Sequence, residues 1–239
     1  MGRIFEKRKD RMFARWAKTA KAFTKLGKEI AISVKLGGGD PDNNPRLRMA
    51  IQTARSLNMP KDRIEAAIKR ASSRDEAELA EISYEGYAPY GVAIFVEAAT
   101  DNPTRTVANV RNIITKHGGK LATTGALDFV FDRKGVFKIA TPAGDLDDFE
   151  LEMIDYGLEE IFEAEDGLLL YSSFKQFGDL QKALEAKQVE VKSAIPQRLP
   201  TSYVAVTAEQ EAEIQKMIDK LEDDDDVQSV FSNMQSSAE

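Results

Sequence analysis

Apolar positions change period along this chain. Between residues 8 and 71 they recur every three or four, the spacing that lines one face of an α-helix. Met12, Phe13, Trp16, Ala20, Phe23 and Ile30 gather on one side of a helix taken over 8–30. Leu47, Ile51, Ala54 and Leu57 line a second helix, from about Pro45 to Leu57, and Ile64, Ala67, Ile68 and Ala71 a third that opens at Pro60. From Ile82 short apolar runs take over. "GVAIFVEAAT" reads as a buried strand. "DNPTRTVANVRNIITKHGGK" reads as a helix capped by Asp101 or Asn102 and ended by Gly118 and Gly119, and "ALDFVFD" as a strand of period two. Next come "GVFKIA", "DLDDFELEMIDY", "LEEIFEAE", "GLLLYSS", "FKQFGDLQKALEAK" and "VEVKSAIP", which spell β-α-β-β-α-β, the ferredoxin-like split unit. "TSYVAVT", "AEQEAEIQKMIDKLED" and "DVQSVFSNM" follow as strand, helix, strand and supply the partner that the earlier β-α-β wants.

The pattern therefore predicts an α+β chain of three domains. A basic helical domain spans 1–78, a split ferredoxin-like α/β domain spans 79–133 and 200–239, and a second ferredoxin-like domain, at 134–199, is inserted into it.

Charge sharpens this division. Residues 1–74 hold 19 Lys and Arg against 7 Asp and Glu, and the remainder holds 14 against 33; net charges of +12 and −19 make up the −7 of the whole chain. A basic module that meets polyanions, joined to an acidic body, is the expected reading. On the first helix Arg8, Arg11, Arg15, Lys18, Lys21, Lys25 and Lys28 are three or four apart and form one stripe opposite the apolar side. Trp16 and Phe23 lie on that apolar side, where core packing is expected over base stacking. The two α/β domains are too acidic to attract phosphate, and Asp223–Asp226 reads as a solvated turn in preference to an acidic interaction site.

Cysteine is absent, which excludes disulfides, thiolate nucleophiles and cysteine-ligated zinc and fits a cytoplasmic chain. The one histidine, His117, ends a helix and suits its dipole. No nucleophile–base pair or metal-ligand cluster stands out, so neither an enzyme nor a cofactor, metal or small-molecule substrate is expected. No apolar run is long enough for a membrane span.

"KLGGGDPDNNPRLRMAI", from Lys35, resembles a phosphate cradle but lacks the Lys-Ser or Lys-Thr of a nucleotide loop and follows a helix instead of a strand. It reads as a hinge: glycines end one helix, Asn44 caps the next and Pro45 takes its first position. Arg46 and Arg48, off the Leu47 face, then stand exposed at a helix N-terminus that favours anions, with Lys35 nearby in sequence. The expected nucleic-acid contacts are thus Arg8, Arg11, Arg15, Lys18, Lys21, Lys25, Lys28, Lys35, Arg46 and Arg48.

Several long stretches resemble the YebC family. They are "FTKLGKEIAISVKLGGGDPDNNPRLRMAI", "NMPKDRIEAAIKR", "YEGYAPYGVAIFVEAATDNPTRT", "KHGGKL", "TGALDFVFDRKG" and "DDDDVQSVFSN", and they cover about Phe23 to Asn233. The resemblance implies three domains and a non-enzymatic regulator that binds nucleic acid. Bacterial members are described as probable DNA-binding transcription regulators, and relatives, a mitochondrial translational activator among them, act on translation. The implied partners are DNA, or ribosomal RNA and the ribosome, with a weak homodimer at most. The chain departs from the family in two places. "MGRIFEKRKDRMFARW" replaces the usual Gly-His-Ser-Lys-Trp start, and Tyr84–Gly91 carries Ala88 and Tyr90 where the family has glycine.

Overall fold

The computed structural model describes residues 20–73, 78–164 and 166–236. Met12, Phe13 and Trp16, with Arg8, Arg11, Arg15 and Lys18, lie outside the described residues. The chain divides into two units, residues 133–199 and the rest of the described chain.

The larger unit begins with α1 (Ala20–Gly37), α2 (Pro45–Ser56) and α3 (Lys61–Ala71). Leu26, Ile30 and Val34 of α1 pack with Leu47, Ile51 and Ala54 of α2 and Ile64 and Ala71 of α3, and the half-buried Phe23 packs against this cluster. Burying each large side chain contributes about 1.5–3 kcal/mol. The glycine-rich stretch between α1 and α2 is a joint fixed by Asn44. Its Oδ1 accepts from Leu47 N at 3.1 Å, capping α2, while its Nδ2 donates to the carbonyls of Ser33 and Gly38 at the end of α1, at 2.7 and 2.8 Å. Gly38 turns the chain at φ +84°, and a Cβ at Gly37 would stand 2.7 Å from the Asn44 amide.

A sheet follows, built from β1 (Ala80–Tyr87), β2 (Ala93–Thr100), β3 (Lys120–Leu121) and β9 (Val227–Ser232), in the order β3-β1-β2-β9. Neighbouring strands are antiparallel. Helices α4 (Pro103–Lys116) and α7 (Ala208–Glu222) cover one face. Val110 and Ile114 meet Ile214, Met217 and Leu221 over Ile94 and Val96. The other face carries Ala93 and Phe95 beneath Leu127, Val130 and Phe131.

Two expectations are corrected here. "ALDFVFD" is mostly turn, and only its last residues enter a strand. Val130 N and Phe131 N both donate to Leu127 O, and that tight turn buries Leu127, Val130 and Phe131 together, which strict alternation would not. "TSYVAVT" supplies only β8 (Val204–Val206), which stays out of the main sheet and pairs in parallel with β10 (Met234–Ser236). Its place is taken by β1, a strand the apolar pattern passes over.

Residues 133–199 form β4 (from Phe131 to Ile139), α5 (Leu146–Ile154), β5 (Leu158–Ala164), β6 (Gly167–Ser173), α6 (Phe177–Ala186) and β7 (Val191–Pro200). The sheet order β5-β6-β4-β7 is that of a ferredoxin-like unit. Alternation along β4 sends Phe137 to one face, where it stacks on Phe177 of α6 at 4.7 Å, and Val136 to the other, beside Leu169 and Tyr171.

Candidate nucleic-acid interface

Lys21, Lys25 and Lys28 are spaced by four and three on α1, so their side chains leave the helix on one face. That face meets the end of α7. A helix C-terminus carries carbonyls without intrahelical partners and the negative end of the dipole, and lysines suit it. Lys21 Nζ donates to Asp223 O and Oδ1 at 2.9 and 3.1 Å. Lys25 Nζ donates to Glu222 O at 2.8 Å. Lys28 Nζ donates to the carbonyls of Ala99 and Asp225 at 3.0 and 2.9 Å and to Asp226 Oδ1 at 2.7 Å.

Asp226 is the hub of this contact. It is 5% exposed, which corrects the reading of the acidic run as a solvated turn. Besides Lys28, its carboxylate accepts from Arg105 Nη2 at 2.7 Å, Thr106 Oγ1 at 2.9 Å and Thr100 Oγ1 at 3.2 Å. Burial alone would raise its pKa, but the hydrogen bonds from Lys28, Arg105 and Thr106 outweigh that and hold it at about 2. Lys25 is buried without a carboxylate in hydrogen-bond contact among the described residues. Burial drives its pKa down to about 8 against the pull of Glu222.

The arginines after the hinge are likewise turned inward. Arg46 Nε donates to Glu29 Oε1 at 2.9 Å and its Nη2 to Glu81 Oε1 at 2.7 Å. Burial opposes the charge, but the hydrogen bonds to Glu81 and Glu29 prevail and raise its pKa above the ordinary value. Arg48 Nη1 donates to the carbonyls of Pro41 and Asp42, tying down the loop itself. Both arginines are only half-exposed, which corrects the expectation that they stand exposed. Lys35 is exposed and donates to Ser73 O at 3.1 Å.

A second set of cations went unnoticed in the sequence. Lys61, Arg63, Lys69 and Arg70 of α3 and Arg55 of α2 are exposed. The Arg63 guanidinium lies 5.8 Å from the centre of the Phe23 ring. A groove of about 690 Å³ runs beside them, lined among others by Gly27, Ala31, Lys35, Arg63 and Arg70, with Glu78 and Glu81 opposite in sign. The signal was present: in "KDRIEAAIKR" the cations fall between the apolar positions that mark the core face of α3.

Among the described residues no group of three or more His, Asp or Glu could hold a metal ion, and no helix is long and apolar enough to cross a membrane. His117 Nδ1 lies 2.8 Å from Ile113 O, at the end of α4.

Residues 3–74 match the family model described as the TACO1/YebC protein N-terminal domain, and residues 79–234 that of the TACO1/YebC second and third domain. A probable transcriptional regulatory protein of Parabacteroides distasonis is 54% identical over 98% of this chain and 97% of its own length. One from Sulfurimonas denitrificans is 53% identical over 98% and 100%. Among solved structures, a conserved hypothetical protein of Aquifex aeolicus superposes with a TM-score of 0.77 at 36% identity, covering 92% of this chain and 91% of that one.

Proposed function

Because the chain belongs to the TACO1/YebC family, we propose that it is a cytoplasmic, non-enzymatic regulator of transcription whose basic N-terminal helices bind the phosphate backbone of DNA. The observation that carries this is the segregation of charge, +12 over residues 1–74 and −19 over the remainder. The exposed cations of α3 agree with it, and so do the names of the relatives. Contacts of this kind position a protein on a duplex without reading its bases.

The test is binding of the full chain to duplex DNA across a salt series. Affinity should fall with a log–log slope of about −0.9 per neutralised phosphate. Replacing Arg63, Lys69 and Arg70 by glutamine should weaken binding to all sequences alike and flatten that slope. Salt-independent binding, or no effect of the triple variant, would refute the α3 assignment.

A translation factor acting on the ribosome is the second reading. It is favoured by the lack of any helix-turn-helix or zinc motif in the sequence, since phosphate contacts serve ribosomal RNA equally well. Sequencing nucleic acid crosslinked to the protein in cells separates the two. Promoter fragments support the regulator, and ribosomal RNA supports the translation factor.

A further inference from the structure

We propose that the end of α7 and the Asp223–Asp226 turn act as an internal substitute for a nucleic-acid backbone, holding Lys21, Lys25 and Lys28 until phosphate displaces it. The inference rests on the nucleic-acid reading above and assigns a regulation to the same stripe.

The contact has the chemistry of a phosphate clamp. The three ammonium groups donate to four main-chain carbonyls, of Glu222, Asp223, Asp225 and Ala99, and to the carboxylates of Asp223 and Asp226.

The junction is also one that can open. The apolar cluster of α1, α2 and α3 and the cluster beneath α4 and α7 share no residue, so each cluster stays intact when the lysines let go. The hydrogen bonds that opening breaks, those of the three lysines and that of Arg46 with Glu81, can be replaced by water or phosphate. The groove of about 690 Å³ lies between α1, α3 and the Glu78–Glu81 segment, where the two meet.

Two of the three lysines are weakly secured in the docked state. Lys21 and Asp223 have side chains 45% and 57% exposed, a range in which ion pairs contribute little. Lys25 is buried against a carbonyl and, among the described residues, has no hydrogen-bonded carboxylate to offset its lost hydration. A phosphate backbone offers full charges and the release of counterions in exchange. Lys28, anchored on Asp226, is the firmest of the three and the last expected to leave.

The consequence is a chain whose affinity is set by the fraction of undocked helix, since binding to a minor open state is weakened in proportion to its population. The Asp223–Asp226 turn then confers selectivity: weak or isolated anions fail to dislodge the stripe, and a continuous polyanion succeeds.

The absence of cysteine makes the test clean. In the full chain, Lys21→Cys with Asp223→Cys provides the sole thiols. A short bis-maleimide closes them across the distance the lysine side chain had spanned, and a mono-maleimide caps them open. Binding is read by fluorescence anisotropy of labelled duplex DNA and of a labelled RNA hairpin. The closed form should bind about tenfold more weakly than the capped form. Separately, Asp223→Asn with Asp225→Asn should tighten binding beyond a charge-matched control, Glu209→Gln with Glu211→Gln, at the far end of α7. Equal affinity of closed and capped protein, or equal gains in the two neutralised variants, would overturn the latch and leave the nucleic-acid reading standing. If no form binds, the capped and wild-type chains included, that reading fails and the latch with it.

Discussion

The two four-stranded sheets of this protein have one plan in space and two in sequence. In residues 133–199 the order β5-β6-β4-β7 follows from β-α-β-β-α-β read straight through. In the larger unit β3-β1-β2-β9 fills the same four places, but the strand between β3 and β2 is β1, which comes first in the chain instead of third. It is joined to β2 by the Ala88–Gly91 turn. A sheet with two helices on one face is therefore satisfied by strand positions, and the wiring is free to vary. The turn from the second helix into the edge strand shows what that freedom permits. Between α6 and β7 it reads Lys187-Gln188-Val189-Glu190 and is tied within residues 133–199, by Lys187 to Glu152 and by Glu190 O to Ala140 N. Between α7 and β9 it reads Asp223-Asp224-Asp225-Asp226 and receives α1. The same corner of the fold serves its own sheet in one copy and takes up an added helix in the other.

Removing the hub should break this contrast most strongly. Asp226→Ala leaves Lys28, Arg105 and Thr106 without their shared buried acceptor, and a broken buried ion pair costs about 3–5 kcal/mol. Glu190→Ala, at the corresponding turn and exposed, should change stability by no more than about 0.5 kcal/mol. Urea denaturation of both variants makes the comparison. The pH dependence carries the same signature. The folded pKa of Asp226, about 2, lies below the unfolded value, so its contribution is present above about pH 4 and is lost as pH falls from there toward 2. Asp226→Ala should lack that part of the acid transition.

A second acid separates the two sheets by what covers their outer faces. Glu85 is buried, and its carboxylate accepts from Gly125 N at 2.7 Å and Leu127 N at 2.6 Å. It thereby fixes the turn that lays Leu127, Val130 and Phe131 over Phe95. Glu85→Ala strands two amide donors next to the core and should cost about 2–3 kcal/mol by denaturation. Hydrogen exchange should rise first in residues 123–131. An unchanged exchange pattern would mean that apolar packing alone holds the turn.

These two acids also mark where the sequence was legible and where it was not. The helices, their caps at Asn44 and Asn102, and the β-α-β-β-α-β order of residues 133–199 follow from local periodicity and turn chemistry, because each is satisfied by neighbours in the chain. The misread segments depend on distant partners. Leu127 and Phe129 alternate as in a strand, yet the segment is turned by Glu85, some forty residues away. β1 hides because "AEISYEGY" breaks its apolar positions with Glu81, Ser83 and Glu85 and includes Gly86, whose Cβ would meet Lys120 O at 2.7 Å. That Lys21, Lys25 and Lys28 share one face of α1 was legible; that this face meets an aspartate run two hundred residues on was not. Charge pattern shows where cations stand and is silent about which anion they already hold.

The smallest effect comes from helix ends, where the two units solve one problem with different residues. α4 ends in a left-handed turn at Gly118, φ +77°, with Gly118 N donating to Thr115 O and Gly119 N to Ile114 O. α6 ends the same way at Gln188, φ +56°, with Gln188 N donating to Glu185 O and Val189 N to Leu184 O. Both are the paired 6→1 and 5→2 hydrogen bonds of a Schellman end, a place that favours glycine because a Cβ crowds the neighbouring carbonyl in the left-handed region. Gln188 therefore carries a strain of about 1 kcal/mol, part of which glycine would give back through its greater freedom in the unfolded chain. Gln188→Gly should stabilise residues 133–199 by about 0.5 kcal/mol, and Gly118→Gln should destabilise the larger unit by about 1 kcal/mol or slightly more. Gly118 has Pro89 Cγ 3.4 Å from where a Cβ would stand, so its reversal adds a tight contact that Gln188 does not face. Thermal denaturation of the two single variants and of the double swap measures both signs. Effects of equal sign would show that side-chain contacts, and not backbone conformation, set the preference at these two ends.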